Sequence, residues 1–156
     1  FADRSGSPAR GAGLTGGDPM AFEFPIRIYW EDTDAGGIVF YANYLKFFER
    51  ARTEWLRALG IHQRQLREQC GGMFVVADAG LKYLRPARLD DELIVTARLQ
   101  EAGRAGMVLA QQAFLIEPGT AARTLLCEGT IRAGWVDAQT MKPARIPSDI
   151  LQKLHP

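Results

Sequence analysis

The feature that most constrains this chain is that only one of its segments sustains a helical period over any length. From about Tyr41 to Leu59, the residues Tyr44, Phe48, Ala51, Trp55 and Leu59 recur three or four positions apart, with Lys46, Glu49, Arg50, Glu54 and Arg57 filling much of the rest. This spacing predicts an amphipathic helix with a bulky apolar stripe, stopped by Gly60. Most of the rest alternates with period two. Phe22, Phe24, Ile26, Ile28 and Trp30 interleave with Glu23, Pro25, Arg27, Tyr29 and Glu31, the pattern of a half-buried strand. Pro25 has no N–H to give a ladder, which places this strand at an edge or a beginning.

After the helix comes a shorter one over His62 to Gln69, ended by Gly71 and Gly72. Four more strands follow: "MFVVADAGLKYL", closed by Pro86; "ELIVTARLQ", with Leu93, Val95, Ala97 and Leu99 on one face; "MVLAQQAFLIE", turned by Pro118 and Gly119; and "RTLLCEGTIRAGWVD", with Leu125, Cys127, Ile131, Ala133 and Trp135 sharing a face. The tail "KPARIPSDILQKL" reads as a loop and a short helix with Ser148 as N-cap. Strands joined by short turns pair antiparallel with their neighbours in sequence. Such a sheet has one apolar face and a single long helix to cover it, so it must curl around that helix. The predicted class is α+β: a five-stranded antiparallel sheet wrapped around one central helix, without internal repeat or second domain.

Composition narrows the function. The chain has 156 residues, 47% hydrophobic and 24% charged, with a formal net charge of +1, which suits one domain with a sizeable core. No Lys/Arg run marks a nucleic-acid surface, and no apolar run approaches the roughly 18 residues of a membrane span. Cys70 and Cys127 form no short spaced motif and read as reduced thiols of a cytoplasmic protein. The opening "FADRSGSPARGAGLTGGDP" lacks the apolar segment of a secretory signal. It reads as a flexible leader over residues 1–20, with Met20 a candidate natural start and the domain proper at 21–156.

Between the first strand and the long helix stands "EDTDAGGIVFY", with Glu31, Asp32 and Asp34 close together. Acids before a helix usually cap it or hold a turn. A carboxylate beside backbone N–H groups at a helix start is also the equipment for attacking an activated carbonyl: the carboxylate is nucleophile or base, and the N–H groups receive the oxyanion. The glycines let backbone approach a ligand. The acids match no calcium-loop spacing, so no metal is expected.

The stretch "EDTDAGGIVFYANYLKFFERARTEWLR" resembles the active-site loop and central helix of the 4-hydroxybenzoyl-CoA thioesterase family, and within it the Tol–Pal-associated acyl-CoA thioesterases; "LKYLRPARLDDEL" is similar to the family's second and third strands. The resemblance spans about Phe24 to Pro147 and implies the hotdog fold. It places the catalytic aspartate on Asp34 and the carbonyl-polarising N–H on Tyr41, where Tol–Pal-associated members often carry His and the benzoyl-CoA enzymes carry Tyr. It implies hydrolysis of an acyl-CoA, coenzyme A being part of the substrate, so no separate cofactor is expected. It puts basic residues in the turn between the third and fourth strands. Here "EAGRAG" offers Arg104 for the CoA phosphates, with Gly103 and Gly106 allowing close backbone approach; Arg85 and Arg88 are weaker candidates.

Tyr44, with Phe47, Phe48 and Trp55, is placed either at an acyl pocket or in the core. Glu31 and Asp32 read as structural or surface residues, and Cys127 as packing. An acyl carrier protein in place of CoA and an aryl substrate are left open. The rival readings are an enzyme using Glu49 on the helix, a non-catalytic acyl-binding or scaffold protein, and a dehydratase, for which neither His62 nor His155 is well placed. The family assembles as dimers of hotdogs, sheet edge to sheet edge, and commonly as tetramers, which implies a homo-oligomer with sites between subunits.

Overall fold

A computed structural model describes residues 20–155 of the chain; the predicted leader lies, Met20 apart, outside the described residues. Strand β1 is Phe22–Arg27, helix α1 Asn43–Ala58, helix α2 Gln63–Cys70, strand β2 Gly72–Tyr83, β3 Glu92–Ala102, β4 Gly106–Ile116, β5 Arg123–Asp137, and helix α3 Ser148–Leu154. The strands form one five-stranded sheet in the order β1-β3-β4-β5-β2, antiparallel throughout.

Helix α1 buries Tyr44, Phe47, Phe48, Ala51, Trp55 and Leu56 against the concave face. Each large apolar side chain contributes on the order of 1.5–3 kcal/mol when fully buried. The sheet can wrap the helix because its ladders are interrupted by register shifts at Val76/Asp78, Leu99/Glu101 and Ala113/Phe114; such bulges bend and twist a strand. One polar side chain crosses the interior. Gln111 is buried on β4, donates Nε2 to the carbonyls of Phe48 (3.0 Å) and Thr96 (3.1 Å), and accepts the Arg52 Nη1 at 2.9 Å. It ties helix to sheet where period-two alternation alone gives no hint of a bond.

The architecture is the predicted one, with five local corrections. Strand β2 pairs with β5, not with its successor β3, because the segment after Tyr83 crosses to the far side of the sheet. Strand β1 stops at Arg27, and Trp30 is 79% exposed instead of sharing the buried face, since Trp30–Asp32 turn in a single 3-10 helix. In β5 the shift beside Ala113 brings Leu126 into the core in place of Leu125. Helix α1 begins at Asn43, so Tyr41 sits in the turn before it. Ser148 is the first residue of α3 and not its N-cap: Pro147 holds that place in extended conformation, and its carbonyl accepts the Ile150 and Leu151 N–H groups.

Gly60 and Gly71 follow α1 and α2 with φ of +82° and +65°, the left-handed stops expected of them. Pro25 lies on an edge strand, as its missing N–H requires.

Candidate active site

The segment from Thr33 to Tyr41 is a small closed loop. Thr33 and Val39 face each other in an antiparallel bridge, and the Asp34 N–H donates to the Ile38 carbonyl at 2.9 Å. Inside, Gly37 donates to the Asp34 carbonyl (3.0 Å) and Gly36 to Asp34 Oδ1 (2.8 Å). Gly37 has φ +77°, which only glycine adopts at no cost. A Cβ at Gly36 would stand 3.1 Å from Asp34 Oδ1, so glycine there leaves the carboxylate its room. Asp34 therefore does both things its type can do: one oxygen holds the turn, and the other has no described partner on an exposed side chain.

Two anchors fix this loop. The first is Asp32, 3% exposed. Its Oδ2 accepts the Tyr29 N–H at 2.8 Å, while its carbonyl accepts the Phe40 N–H (3.1 Å) and Asn43 Nδ2 (2.8 Å). Its Oδ1 has no partner among the described residues. The structural reading of Asp32 holds, and its role is to tie the loop's entrance to its exit. The second anchor is the chain after β2. Ala87 accepts the Val39 N–H at 2.9 Å and donates to the Tyr44 hydroxyl at 3.2 Å; Ile38 bridges Arg88.

Beyond the loop, Tyr41 is 56% exposed and its N–H has no acceptor among the described residues. The Asn43 N–H holds the Phe40 carbonyl at 2.9 Å, and the Tyr83 hydroxyl donates to the Tyr41 carbonyl at 3.0 Å. Tyr83 packs edge-on against Tyr41 and Tyr44, ring centroids 6.0 and 5.7 Å apart. Burial pushes its phenol above the ordinary value of 10.0, with smaller contributions from Cys127 and Tyr41, so it stays protonated and remains a donor. Sequence reasoning passed over Tyr83, Ala87 and Asn43. The available signal for Tyr83 was its place on the inward alternation of β2, directly before the loop-contacting "LRPAR".

The other predicted residues fall elsewhere. Tyr44 is completely buried, its ring against Phe47 and Tyr83, so within one chain it is core and not pocket wall. Glu49 accepts Thr53 Oγ1 at 2.8 Å beside a recess of about 120 Å³ lined also by Leu56, Phe74, Met107 and Ala133. Cys127 is buried in the core cluster with its thiol pushed up to about 12 by burial and by Glu128, which fits packing and not nucleophilic work. Both cysteines are free. Among the described residues no His, Cys, Asp and Glu cluster is placed to hold a metal, and no helix is long and apolar enough to cross a membrane.

Arg104 is exposed in the turn between β3 and β4, where Gly103 donates to the Gly106 carbonyl at 2.8 Å and Arg104's own carbonyl accepts the Ile146 N–H at 2.7 Å. Gly106 has a packing reason to be bare: a Cβ there would lie 2.7 Å from the Ala133 carbonyl oxygen of β5. This turn follows the end of β3, whereas the Asp34 loop is tethered to residues just before β3 begins. Eleven extended residues of β3 span roughly 35 Å. One chain thus carries Asp34 and Tyr41 on one loop, seven residues apart, but leaves Arg104 a strand's length away.

This fold, with a carboxylate loop leading into its central helix, defines a hotdog-type hydrolase scaffold. Residues 28–154 match the thioesterase-like superfamily, and the chain belongs to that family. It is 39% identical to the acyl-CoA thioesterase YbgC of Haemophilus influenzae over 86% of this chain and 94% of that protein. The probable thioesterase from Bartonella henselae superimposes with a TM-score of 0.72 at 30% identity, covering 81% of this chain and 99% of that one. A mutant 4-hydroxybenzoyl-CoA thioesterase, complexed with 4-hydroxybenzoyl-CoA, superimposes with a TM-score of 0.79 over 86% of this chain and 99% of that one; at 19% identity this speaks to the fold.

Proposed function

We propose that the protein is an acyl-CoA thioesterase in which Asp34 performs the attack and the Tyr41 N–H receives the oxyanion. The observation that carries the reading is the closed loop that presents one Asp34 oxygen without a partner among the described residues and leads, seven residues after Asp34, to a backbone donor that also has none among them. The thioester carbonyl is attacked either by the Asp34 carboxylate itself or by a water that gives its proton to Asp34. The carbonyl electrons move onto oxygen beside the Tyr41 N–H, and the C–S bond then breaks. In the water route the proton held by Asp34 passes to the departing sulfur. In the direct route CoA leaves as the thiolate, and a water then hydrolyses the acyl–Asp34 anhydride to free acid, its second proton passing to the thiolate or to solvent. Removing one such donor typically costs about 10²–10³ in rate. Coenzyme A belongs to the substrate, and this chemistry needs no further cofactor. The two free cysteines fit a cytoplasmic protein.

The working enzyme is a homo-oligomer, a dimer or a dimer of dimers. Strand β2 is a sheet edge whose run from Val76 to Gly80 is exposed, with Val76 at 51%. A second copy pairing there removes that open edge and offers a route by which a neighbour's Arg104 meets Asp34.

The test is a panel of alkyl and aryl acyl-CoA thioesters, and the same acyl groups on an acyl carrier protein, assayed for free thiol release. Asp34→Asn should lose about 10²–10⁴ in kcat while keeping its Tm, since the amide is neither nucleophile nor base. Near-wild-type kcat in a folded Asp34→Asn, with loss in Glu49→Gln, would move the chemistry to the helix carboxylate.

A further inference from the structure

We propose that Tyr83 is a positioning residue for this reaction: its hydroxyl, 3.0 Å from the Tyr41 carbonyl, ties the turn that carries the Tyr41 N–H to strand β2. The inference rests on the hydrolase reading above and deepens it. Tyr41 lies outside α1, so no i→i+4 bond holds its carbonyl; the Leu45 N–H that would do so is given to Ala42 at 3.1 Å. The intramolecular alternative is a contact with the Tyr44 N–H at 3.4 Å, long for a hydrogen bond. The peptide plane before Tyr41, which carries its N–H, is held from within the turn, by the Asn43 N–H on the Phe40 carbonyl at 2.9 Å. The plane after Tyr41 is held from outside the turn, which keeps the turn, and the N–H it carries, from shifting as a body against the sheet. The Tyr83 hydroxyl supplies that second constraint. It comes from β2, a sheet strand, and not from the loop, so the donor is referenced to the rigid part of the molecule. A donor for a developing oxyanion is effective only when it is oriented before the charge appears.

Three proteins decide the matter in the thiol-release assay: wild type, Asp34→Asn and Tyr83→Phe. Tyr83→Phe keeps the ring that packs on Tyr41 and Tyr44 and removes only the hydroxyl. The expected result is a kcat about tenfold lower, a fraction of the loss of a whole oxyanion donor, with KM within twofold, unchanged Tm and unchanged inhibition by free CoA. A 3-fluorotyrosine at position 83, which restores ring and hydroxyl, should return kcat to within about threefold of wild type. Wild-type kcat in Tyr83→Phe would overturn the proposal, and so would a rise in KM at constant kcat, which would make Tyr83 a binding residue. Loss of the fold in Tyr83→Phe would overturn it too, because the hydroxyl would then be holding the core and not one peptide. If wild type turns over and Asp34→Asn does not, an unaffected Tyr83→Phe refutes this inference alone; if wild type releases no thiol from any substrate, the hydrolase reading fails and takes this one with it.

Discussion

The loop from Thr33 to Tyr41 and the turn from Glu101 to Gly106 are both short, glycine-bearing connections expected to face one substrate, yet they are held in unlike ways. In the first, bonds converge from three directions: Asp32 behind, Ala87 beside and Tyr83 ahead. Its glycines serve the carboxylate, one by clearing space for Oδ1 and one by adopting φ +77°. The second is a plain turn whose Gly106 serves the neighbouring strand, and whose one basic side chain, Arg104, stands in solvent. Preorganisation is concentrated in the loop proposed to carry the chemistry; the turn offers charge on a long side chain. A reacting group must be held within fractions of an ångström, whereas a phosphate contact is useful from a range of positions.

The largest expected effect joins the two regions in one experiment. Asp34→Asn alone should be nearly inactive, and Arg104→Ala alone should raise KM for acyl-CoA several-fold with little change in kcat, since a phosphate contact binds ground and transition states alike. Co-expressing the two with different tags and purifying the hybrid sharpens this. If Arg104 acts across subunits, half the hybrid's sites combine an intact Asp34 with an intact Arg104, and KM returns to the wild-type value at about half the wild-type kcat. If each site lies within one chain, every active Asp34 remains beside Ala at position 104 and KM stays high. The separation of roughly 35 Å along β3 favours the first outcome.

The unequal construction of the two regions also explains what the sequence made legible. The one long helix, the extent of β2 to β5 and the left-handed glycines after α1 and α2 follow from period and composition, because apolar spacing and glycine's freedom act locally. The tight turn at "DTDAGG" was legible because Asp and Gly suit one; its proposed part in acyl transfer came from the family resemblance. What stayed hidden is non-local. Nothing in alternation says that β2 skips β3 to pair with β5, since both pairings bury the same faces. Nor could spacing show that a tyrosine at the end of β2 would reach the turn before α1, or that Gln111 would bridge a helix carbonyl through the core. The displaced Leu125, the exposed Trp30 and the misplaced cap at Ser148 share one cause: a bulge, a 3-10 turn or a proline shifts the register by one residue, and period arguments are blind to single-residue shifts.

A middle-sized effect separates the glycines of the two regions. Gly106→Ala forces a methyl to within 2.7 Å of the Ala133 carbonyl oxygen, a backbone atom that cannot swing aside. The cost should be about 1–3 kcal/mol of stability, as for other overpacked sites, read as a lower urea midpoint with kcat preserved at low temperature. Gly37→Ala meets nothing within 4 Å but must hold φ +77°; it should cost about 1 kcal/mol and, being next to the Gly36–Asp34 bond, should lower kcat as well. Equal kcat losses in the two variants would erase the distinction between a turn that serves catalysis and one that serves packing.

The smallest effect comes from a charge pair that belongs to neither region and so serves as their reference. Arg123, at the start of β5, grips Glu23 of β1 with two hydrogen bonds of 2.5 and 3.0 Å. The pair lies at the surface, with side chains 21% and 38% exposed, where water screens it. The hydrogen bond from Arg123 holds the Glu23 carboxyl below its ordinary value of 4.5, with burial opposing and the guanidinium charge adding to the depression. A carboxyl lowered in the folded state stabilises fully above its unfolded pKa, and that contribution is lost as pH falls through the folded one. Glu23→Gln should therefore lower Tm at pH 7 by no more than about 3 °C, and the two proteins should converge as the pH is taken below 4.5. High salt should shrink the difference at pH 7, and kcat should match wild type throughout. A gap that widens in acid would mean that Glu23 is held by something other than Arg123, and a change in kcat would extend the active site to the outer edge of the sheet.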